Sequence, residues 1–295
     1  MEPLKNVASI RHCKLCDAGG TIQRASGPKI ARLANSLAIV LLVYATTVSA
    51  DFEAALAALE DGDYGAAMAQ FLPLAEAEDA AAEYYLGVMN QQGWGVITDL
   101  GVAAEWYERA AERGNVKAQH NLATLLQRGD GLRRNTYMAL QWYRRAAMSG
   151  SAKSAHQLGL AYYRGDGVTR NYVAALRWWE RARTAGEVDA GYNIGIIYRR
   201  GLGVDRDLER AAMVWLDAAT AGSGIAKNAL GSAYLNGGGV EFDPVEAYAW
   251  FRSAAQAGID VANLNAELAL AQMSEAQRET AFAHAEALQE KLPRR

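Results

Sequence analysis

Cysteine, histidine and proline are all scarce in this chain of 295 residues. The two cysteines, Cys13 and Cys16, stand within the first 50 residues, so the remainder has no thiol for a disulfide or a metal site. Together with His12 they form His-Cys-x-x-Cys, which is half of a zinc site, and no second pair follows at zinc spacing. The five prolines, set against abundant alanine, favour helices over strands.

Sequence motifs that mark catalysis are also absent. The chain has no His-Glu-x-x-His zinc motif, no Gly-Lys-Ser/Thr phosphate loop and no Gly-x-Ser-x-Gly nucleophile turn. After residue 50 three histidines remain, His120, His156 and His284. These absences predict a protein without catalytic residues, metal or cofactor, although a pair of catalytic carboxylates would leave no such signal.

The first 50 residues differ from the rest of the chain. They carry six basic and two acidic residues, and an apolar run at 37–48 leads into Ser49 and Ala50. A basic segment, a short apolar core and small residues are typical of a secretory signal peptide, so we predict cleavage after Ala50 and a periplasmic or secreted protein without a membrane span. The apolar run is shorter than the roughly 20 residues of a spanning helix, but an uncleaved leader anchored in the inner membrane is the alternative.

A leucine or isoleucine followed by a small residue recurs every 36 residues. The five copies are Leu86-Gly87, Leu122-Ala123, Leu158-Gly159, Ile194-Gly195 and Leu230-Gly231. Matching residues four positions before and four positions after each copy place these residues on one face of a helix. The small residue lets a neighbouring helix approach closely. A fixed period of this size predicts a stack of supersecondary units.

A glycine-rich turn and a second helix complete each unit. Gly-x-Gly begins at 93, 129, 165, 201 and 237, and five copies in register indicate turns with positive φ rather than a phosphate loop, which is needed once. The second helix begins after an Asp or Asn N-cap such as Asp99. Small residues then flank a large pair, as in Ala103, Trp106-Tyr107 and Ala110, and this stripe predicts core packing.

These motifs resemble the Sel-one-like repeat (SLR) family, a relative of the tetratricopeptide repeat, over residues 80–259. The resemblance implies an all-α fold, an α/α right-handed superhelical solenoid of helix-turn-helix repeats that acts as a protein-binding scaffold. The five predicted units are 80–115, 116–151, 152–187, 188–223 and 224–259.

Both ends of the stack are predicted to be caps. Residues 51–79 contain the pattern of a degenerate repeat, because Asp63 and Phe71 stand 36 positions before Asp99 and Tyr107. Residues 260–295 are expected to form C-terminal capping helices, one at 262–273 and one at about 280–291. Ser274 and the glutamine three residues later have the spacing of a capping box before the last helix.

The first helix of each unit lines the concave groove in tetratricopeptide repeats, so the resemblance places partner-binding residues there. The candidates stand two or five residues before, or five or six residues after, the Leu or Ile of the 36-residue repeat. They are Tyr84, Lys117, His120, Gln127, Arg128, Lys153, His156, Tyr163, Arg164, Tyr192, Arg199 and Arg200.

The charge distribution predicts what the groove binds. Residues 81–212 carry 18 basic and 13 acidic residues, which favours another protein or a peptide with acidic side chains or a C-terminal carboxylate. Ordinary solvated surface is the alternative explanation, because exposed Lys and Arg are common. From residue 51 onward the chain has a formal net charge of −7, so nucleic acid is not an expected partner.

We interpret the sequence as an exported repeat scaffold that adapts or regulates another protein in the bacterial cell envelope. One alternative is an envelope hydrolase or polymer-modifying enzyme whose site combines the groove histidines with a carboxylate. Another is a structural homo-oligomer that assembles through the end caps.

Mass spectrometry of the N-terminus of protein recovered from its native envelope tests the export prediction. Cleavage after the small residues at 48–50 predicts Asp51 as the first residue. Protein in the membrane fraction that retains residues 37–48 would contradict cleavage and support the anchored alternative.

Overall fold

The computed structural model describes residues 51–292, so the predicted signal peptide at 1–50 lies outside the described residues. This part of the chain contains fourteen α-helices and no strand, of which α1 covers 51–60. The others are α2 (Tyr64–Glu76), α3 (Ala80–Gln92), α4 (Leu100–Glu112), α5 (Val116–Arg128), α6 (Thr136–Met148), α7 (Ala152–Arg164), α8 (Tyr172–Thr184), α9 (Asp189–Arg200), α10 (Leu208–Thr220), α11 (Gly224–Asn236), α12 (Pro244–Gln256), α13 (Val261–Leu270) and α14 (Glu275–Lys291). From α2 to α13 each helix packs against the next, and α14 packs against α12, which confirms the all-α repeat solenoid. None of the described helices is both long enough and apolar enough to cross a membrane.

The turn between the two helices of a unit has the same geometry throughout. The first glycine of each Gly-x-Gly is the left-handed C-cap of the first helix, with φ of 74° at Gly93 and 61° at Gly237. Two residues on, Gly95 also has a φ of 74°. The Asp99 side chain then accepts hydrogen bonds from the first-turn amides of α4. The Gly-x-Gly segments are therefore turns, as predicted.

The core is built where the second helix of a unit meets the small residue of the first. A methyl group added at Gly87 would lie 2.6 Å from the Tyr107 ring, and one at Gly231 would lie 2.8 Å from the Phe251 ring. These rings are fully buried. In the four units with glycine after the Leu or Ile, an aromatic side chain from the second helix thus occupies the space that a Cβ would need, whereas the second unit has Ala123 at this position.

The terminal helices cover the two ends of the core. Phe71 of α2 is fully buried and stacks on Tyr85 at a centroid distance of 5.2 Å. At the other end, Ala281 and Ala285 of α14 pack in a cluster with Phe251.

The boundaries of the last two helices differ from the prediction. The final helix begins at Glu275 rather than near 280, because Ser274 is the N-cap itself and Gln277 is the third helical residue of the capping box. The preceding helix ends at Leu270.

Replacing Gly159 by alanine is expected to lower the free energy of unfolding by about 1–3 kcal/mol, because the added methyl overlaps the buried Trp179 ring. Gly65→Ala is the matched control, since the nearest atom to its new Cβ is 3.7 Å away. Urea denaturation of both variants measures the difference. Equal midpoints for Gly159→Ala and the wild type would contradict this account of the packing.

Candidate functional site

The predicted binding residues lie along the first helices of the units. These helices are neighbours, with α3 against α5 and α9 against α11, and side-chain hydrogen bonds join α5 to α7 and α7 to α9. We term this surface the inner face. It consists of the twelve predicted residues together with Gln91 and Asn228, which occupy equivalent positions in the first and fifth units.

The two histidines of the inner face hold consecutive units together. His120 Nδ1 lies 2.8 Å from Ser154 Oγ of the following unit. His156 Nε2 lies 2.8 Å from Asn193 Nδ2, again in the following unit. Both side chains are half-buried. This column of the inner face therefore contributes to the stacking of the solenoid.

The environment of both histidines favours the neutral imidazole. Burial lowers the pKa of His120, and the nearby Lys153 ammonium lowers it further. Burial also lowers the pKa of His156, although the carboxylates of Glu187 and Asp189 act in the opposite direction. Within residues 51–292 neither imidazole is hydrogen-bonded to a carboxylate, and Glu187 and Asp189 act on His156 only through their charge.

A second column of the inner face rests on the aromatic core. Each member contacts the aromatic residue sixteen positions later in its own unit. The pairs are Gln91 with Tyr107, Gln127 with Tyr143, Tyr163 with Trp179 and Arg199 with Trp215. The Tyr107 hydroxyl donates to Gln91 Oε1 at 2.6 Å, and the Arg199 guanidinium lies 5.7 Å from the Trp215 ring centroid. The same packing that closes the core therefore positions these polar groups.

The three arginines at a single repeat position are exposed. Arg128, Arg164 and Arg200 are the last residues of α5, α7 and α9, and none forms an ion pair with a described carboxylate. A cation at a helix C-terminus also stabilises the helix dipole, typically by about 0.3–1 kcal/mol. Position alone thus gives these arginines a structural role in addition to any role in binding.

Two equivalent cavities open between the first helices of neighbouring units. One of about 430 Å³ lies between the first and second units and is lined by Gln91, His120, Arg128 and Asp130, among others. The other, of about 310 Å³, lies between the fourth and fifth units and includes Arg199. The structure thus brings His120 and Arg128 into one cavity.

The remaining predicted residues lie outside these cavities. Lys117 and Lys153 are exposed, and the Lys117 ammonium lies 5.8 Å from the Tyr84 ring centroid. Tyr192 is half-buried, and its backbone carbonyl accepts a hydrogen bond from Trp215 Nε1 at 3.1 Å.

One buried repeat position, which carries a polar side chain in three of the five units, was not predicted from the sequence. It stands three residues before each Leu or Ile and is occupied by Glu83, Gln119, Ala155, Gly191 and Lys227. Glu83 is fully buried between Arg109 and Arg113, and burial raises the pKa of its carboxyl although both guanidinium groups oppose the shift. The sequence does contain a signal that could have identified this position: it changes from an acidic residue in the first unit to a basic residue in the fifth.

The described residues contain no cluster of three or more histidine, cysteine or acidic side chains that could hold a metal ion.

Acidification is expected to destabilise the fold through His120 and His156. Because burial lowers the pKa of each below its ordinary value of about 6.5, the unfolded chain binds protons more readily. The stabilising contribution is complete above about pH 6.5 and is lost as the pH falls through the folded-state value. Thermal melts near pH 7.5 and pH 5 should show a smaller decrease in Tm for the double variant His120→Gln/His156→Gln than for the wild type. Identical decreases would contradict this assignment.

The sequence and the fold both match known repeat proteins. A family model of the Sel1 repeat matches residues 80–115, 116–151, 152–187, 188–223 and 224–259. The chain is 31% identical to a Sel1 repeat protein from Oxalobacter formigenes, with a TM-score of 0.68 over 70% of this chain and 85% of that one. It is 30% identical to a protective antigen of uropathogenic Escherichia coli strains with an SLR fold, with a TM-score of 0.72 over 84% of this chain and 56% of that one. A comparison with curated proteins found no match. Five matched helix-turn-helix units, four of which pack an aromatic side chain against a glycine, show that the chain belongs to the Sel1 repeat family.

Proposed function

We propose that this protein is an exported scaffold whose inner face holds an acidic segment of another protein, and that it adapts or regulates that partner in the bacterial cell envelope. Sel1 repeat proteins generally mediate protein–protein interactions and are typically not catalytic. For this chain we propose three further points: that the partner is acidic, that the protein is exported and that it acts in the cell envelope.

The observation that carries the proposal is the row formed by Arg128, Arg164 and Arg200. Their side chains are exposed and have no carboxylate partner among residues 51–292. Arginine binds a carboxylate through two parallel hydrogen bonds, which makes it suited to acidic side chains and to a chain terminus. The repeat spacing presents one guanidinium per unit to an extended acidic segment.

The residues beside this row supply contact area that is already ordered. The Tyr163 ring lies 5.5 Å from the Trp179 ring, and the Tyr143 hydroxyl donates to Gln127 at 3.1 Å. Side chains held in this way lose little conformational entropy on binding, and aromatic and arginine residues are frequent at the energetically important points of interfaces. A preformed surface of this kind favours a binding role for the inner face.

The N-terminal sequence supports export. A basic segment is followed by an apolar run at 37–48 and by small residues up to Ala50, which is the order found in secretory signal peptides. Absence of cysteine from residue 17 onward is compatible with an oxidising compartment, since no thiol is available for oxidation there.

Reversing the three charges tests the inner face. The triple variant Arg128→Glu/Arg164→Glu/Arg200→Glu is expected to weaken capture of an acidic partner from the native envelope by at least about tenfold, because carboxylates would then face carboxylates. Wild-type capture should weaken as salt rises, and the variant should lose most of that dependence.

A matched control carries the same change in charge at exposed arginines away from the inner face. Arg133→Glu/Arg144→Glu/Arg177→Glu should retain the wild-type partners, with circular dichroism confirming that both variants fold. If the two triple variants captured the same partners as the wild type, the proposed binding surface would be wrong.

A further inference from the structure

A separate cavity lies where the fourth and fifth units meet the last helix. Its volume is about 350 Å³, and its wall includes Asp189 of α9, Lys227 of α11, Ser253 and Gln256 of α12 and Gln289 of α14. None of the twelve predicted residues of the inner face is part of this wall. The cavity is therefore distinct from the surface described above.

The notable wall residue is Lys227. Its side chain is 5% exposed, and its ammonium forms no ion pair or hydrogen bond with any residue of the described chain. Burial lowers the pKa of this lysine. Its nitrogen is not among the fully buried polar atoms that lack a partner, so the ammonium keeps access to solvent at the cavity that it lines, while the rest of the side chain is buried.

Comparison with the first unit shows what is missing around Lys227. Glu83 occupies the same repeat position and has an ion pair with Arg109 at 2.9 Å. In the fifth unit the position of Arg109 is taken by Ser253, and that of the second partner, Arg113, is taken by an alanine. The charge at this position is thus reversed, while the side chains opposite are small and leave a cavity.

The other polar groups of the wall complement a carboxylate. The Ser253 hydroxyl and the amides of Gln256 and Gln289 can each donate a hydrogen bond. The Asp189 carboxylate accepts a hydrogen bond from the Ser223 hydroxyl at 2.6 Å and forms no ion pair with Lys227. An additional carboxylate in the wall disfavours a ligand with two negative charges, whereas a singly charged group has one cation and three neutral donors available.

We propose that this cavity binds a carboxylate group, with the Lys227 ammonium as its charged partner and Ser253, Gln256 and Gln289 as hydrogen-bonding partners. A volume of about 350 Å³ suits a ligand the size of one amino-acid residue. The carboxylate belongs either to a free small acid or to the end or side chain of a peptide. The proposal goes beyond the partner-binding role of the inner face and does not require it.

Thermal melting of the purified protein, at constant ionic strength, tests the site. Sodium acetate should raise Tm, because a ligand that binds only the folded state stabilises it, and acetamide, which has the same shape without the charge, should not. N-acetyl-Ala-Ala with a free C-terminus and its C-terminal amide test the chain-terminus source, and N-acetyl-Ala-Glu-Ala-amide tests the side-chain source. Acetate alone being effective would assign the site to small acids.

Two variants test the site in different ways: one removes the charge of Lys227, and the other fills the cavity. Lys227→Met keeps the length of the side chain, removes the charge and is expected to weaken acetate binding by at least about tenfold. The double variant Lys227→Glu/Ser253→Arg reproduces the Glu83–Arg109 pair of the first unit and should also abolish the response. Arg133→Met, at an exposed arginine that lies outside both the inner face and this cavity, is the control and should respond like the wild type.

The outcomes separate the proposal from simpler explanations. An equal rise in Tm for the wild type and both Lys227 variants, or an equal effect of acetate and acetamide, would overturn it. A response that appears only after removal of residues 293–295 would show that the chain itself fills the cavity, and would also overturn it. Should Lys227→Met fail to fold, Lys227→Gln, which introduces the residue found at position 119, provides the same comparison.

Discussion

The structure depends on one contact that four of the five units make: the aromatic side chain of the second helix lies against the glycine that follows Leu or Ile in the first. At Gly87 and Gly231 there is no room for a methyl group beside the rings of Tyr107 and Phe251. This contact sets the distance between the two helices of a unit, and close packing of this kind leaves little tolerance for added volume. Because the contact recurs at a spacing of 36 residues, the units pack into a regular stack.

The same aromatic side chains also organise the inner face. In the first four units this side chain has its apolar body in the core and also contacts a residue of the inner face, as when the hydroxyls of Tyr107 and Tyr143 donate to Gln91 and Gln127. A residue there is consequently ordered by its own unit before any partner arrives. His120 and His156 add bonds to the following unit, so the inner face is stabilised both within and between repeats.

Variation between units is most informative at positions that packing leaves unconstrained. The buried site three residues before Leu or Ile accepts Glu83, with two arginines opposite, and Lys227, with small residues opposite. At the same repeat position, the charge of Glu83 is therefore paired, whereas the charge of Lys227 faces a cavity. A solenoid can acquire a ligand site in this way without changing its fold, because contacts at one junction are nearly independent of those at the others.

The sequence by itself determined the repeat, the turns and the identity of the core residues, since a period of 36 with glycine, N-cap and aromatic positions in fixed register has one physical explanation. It also placed the candidate residues on the first helices, but not their contacts. Only the tertiary structure decided that His120 and His156 bond to the next unit, and that Arg128 shares a cavity with His120 whereas Arg164 lies outside both inner-face cavities. The change from Glu83 to Lys227 at one repeat position can be read in the sequence, but the cavity around Lys227 cannot, because Ser253 and Gln289 are distant in sequence and are brought to it by the packing of α12 and α14.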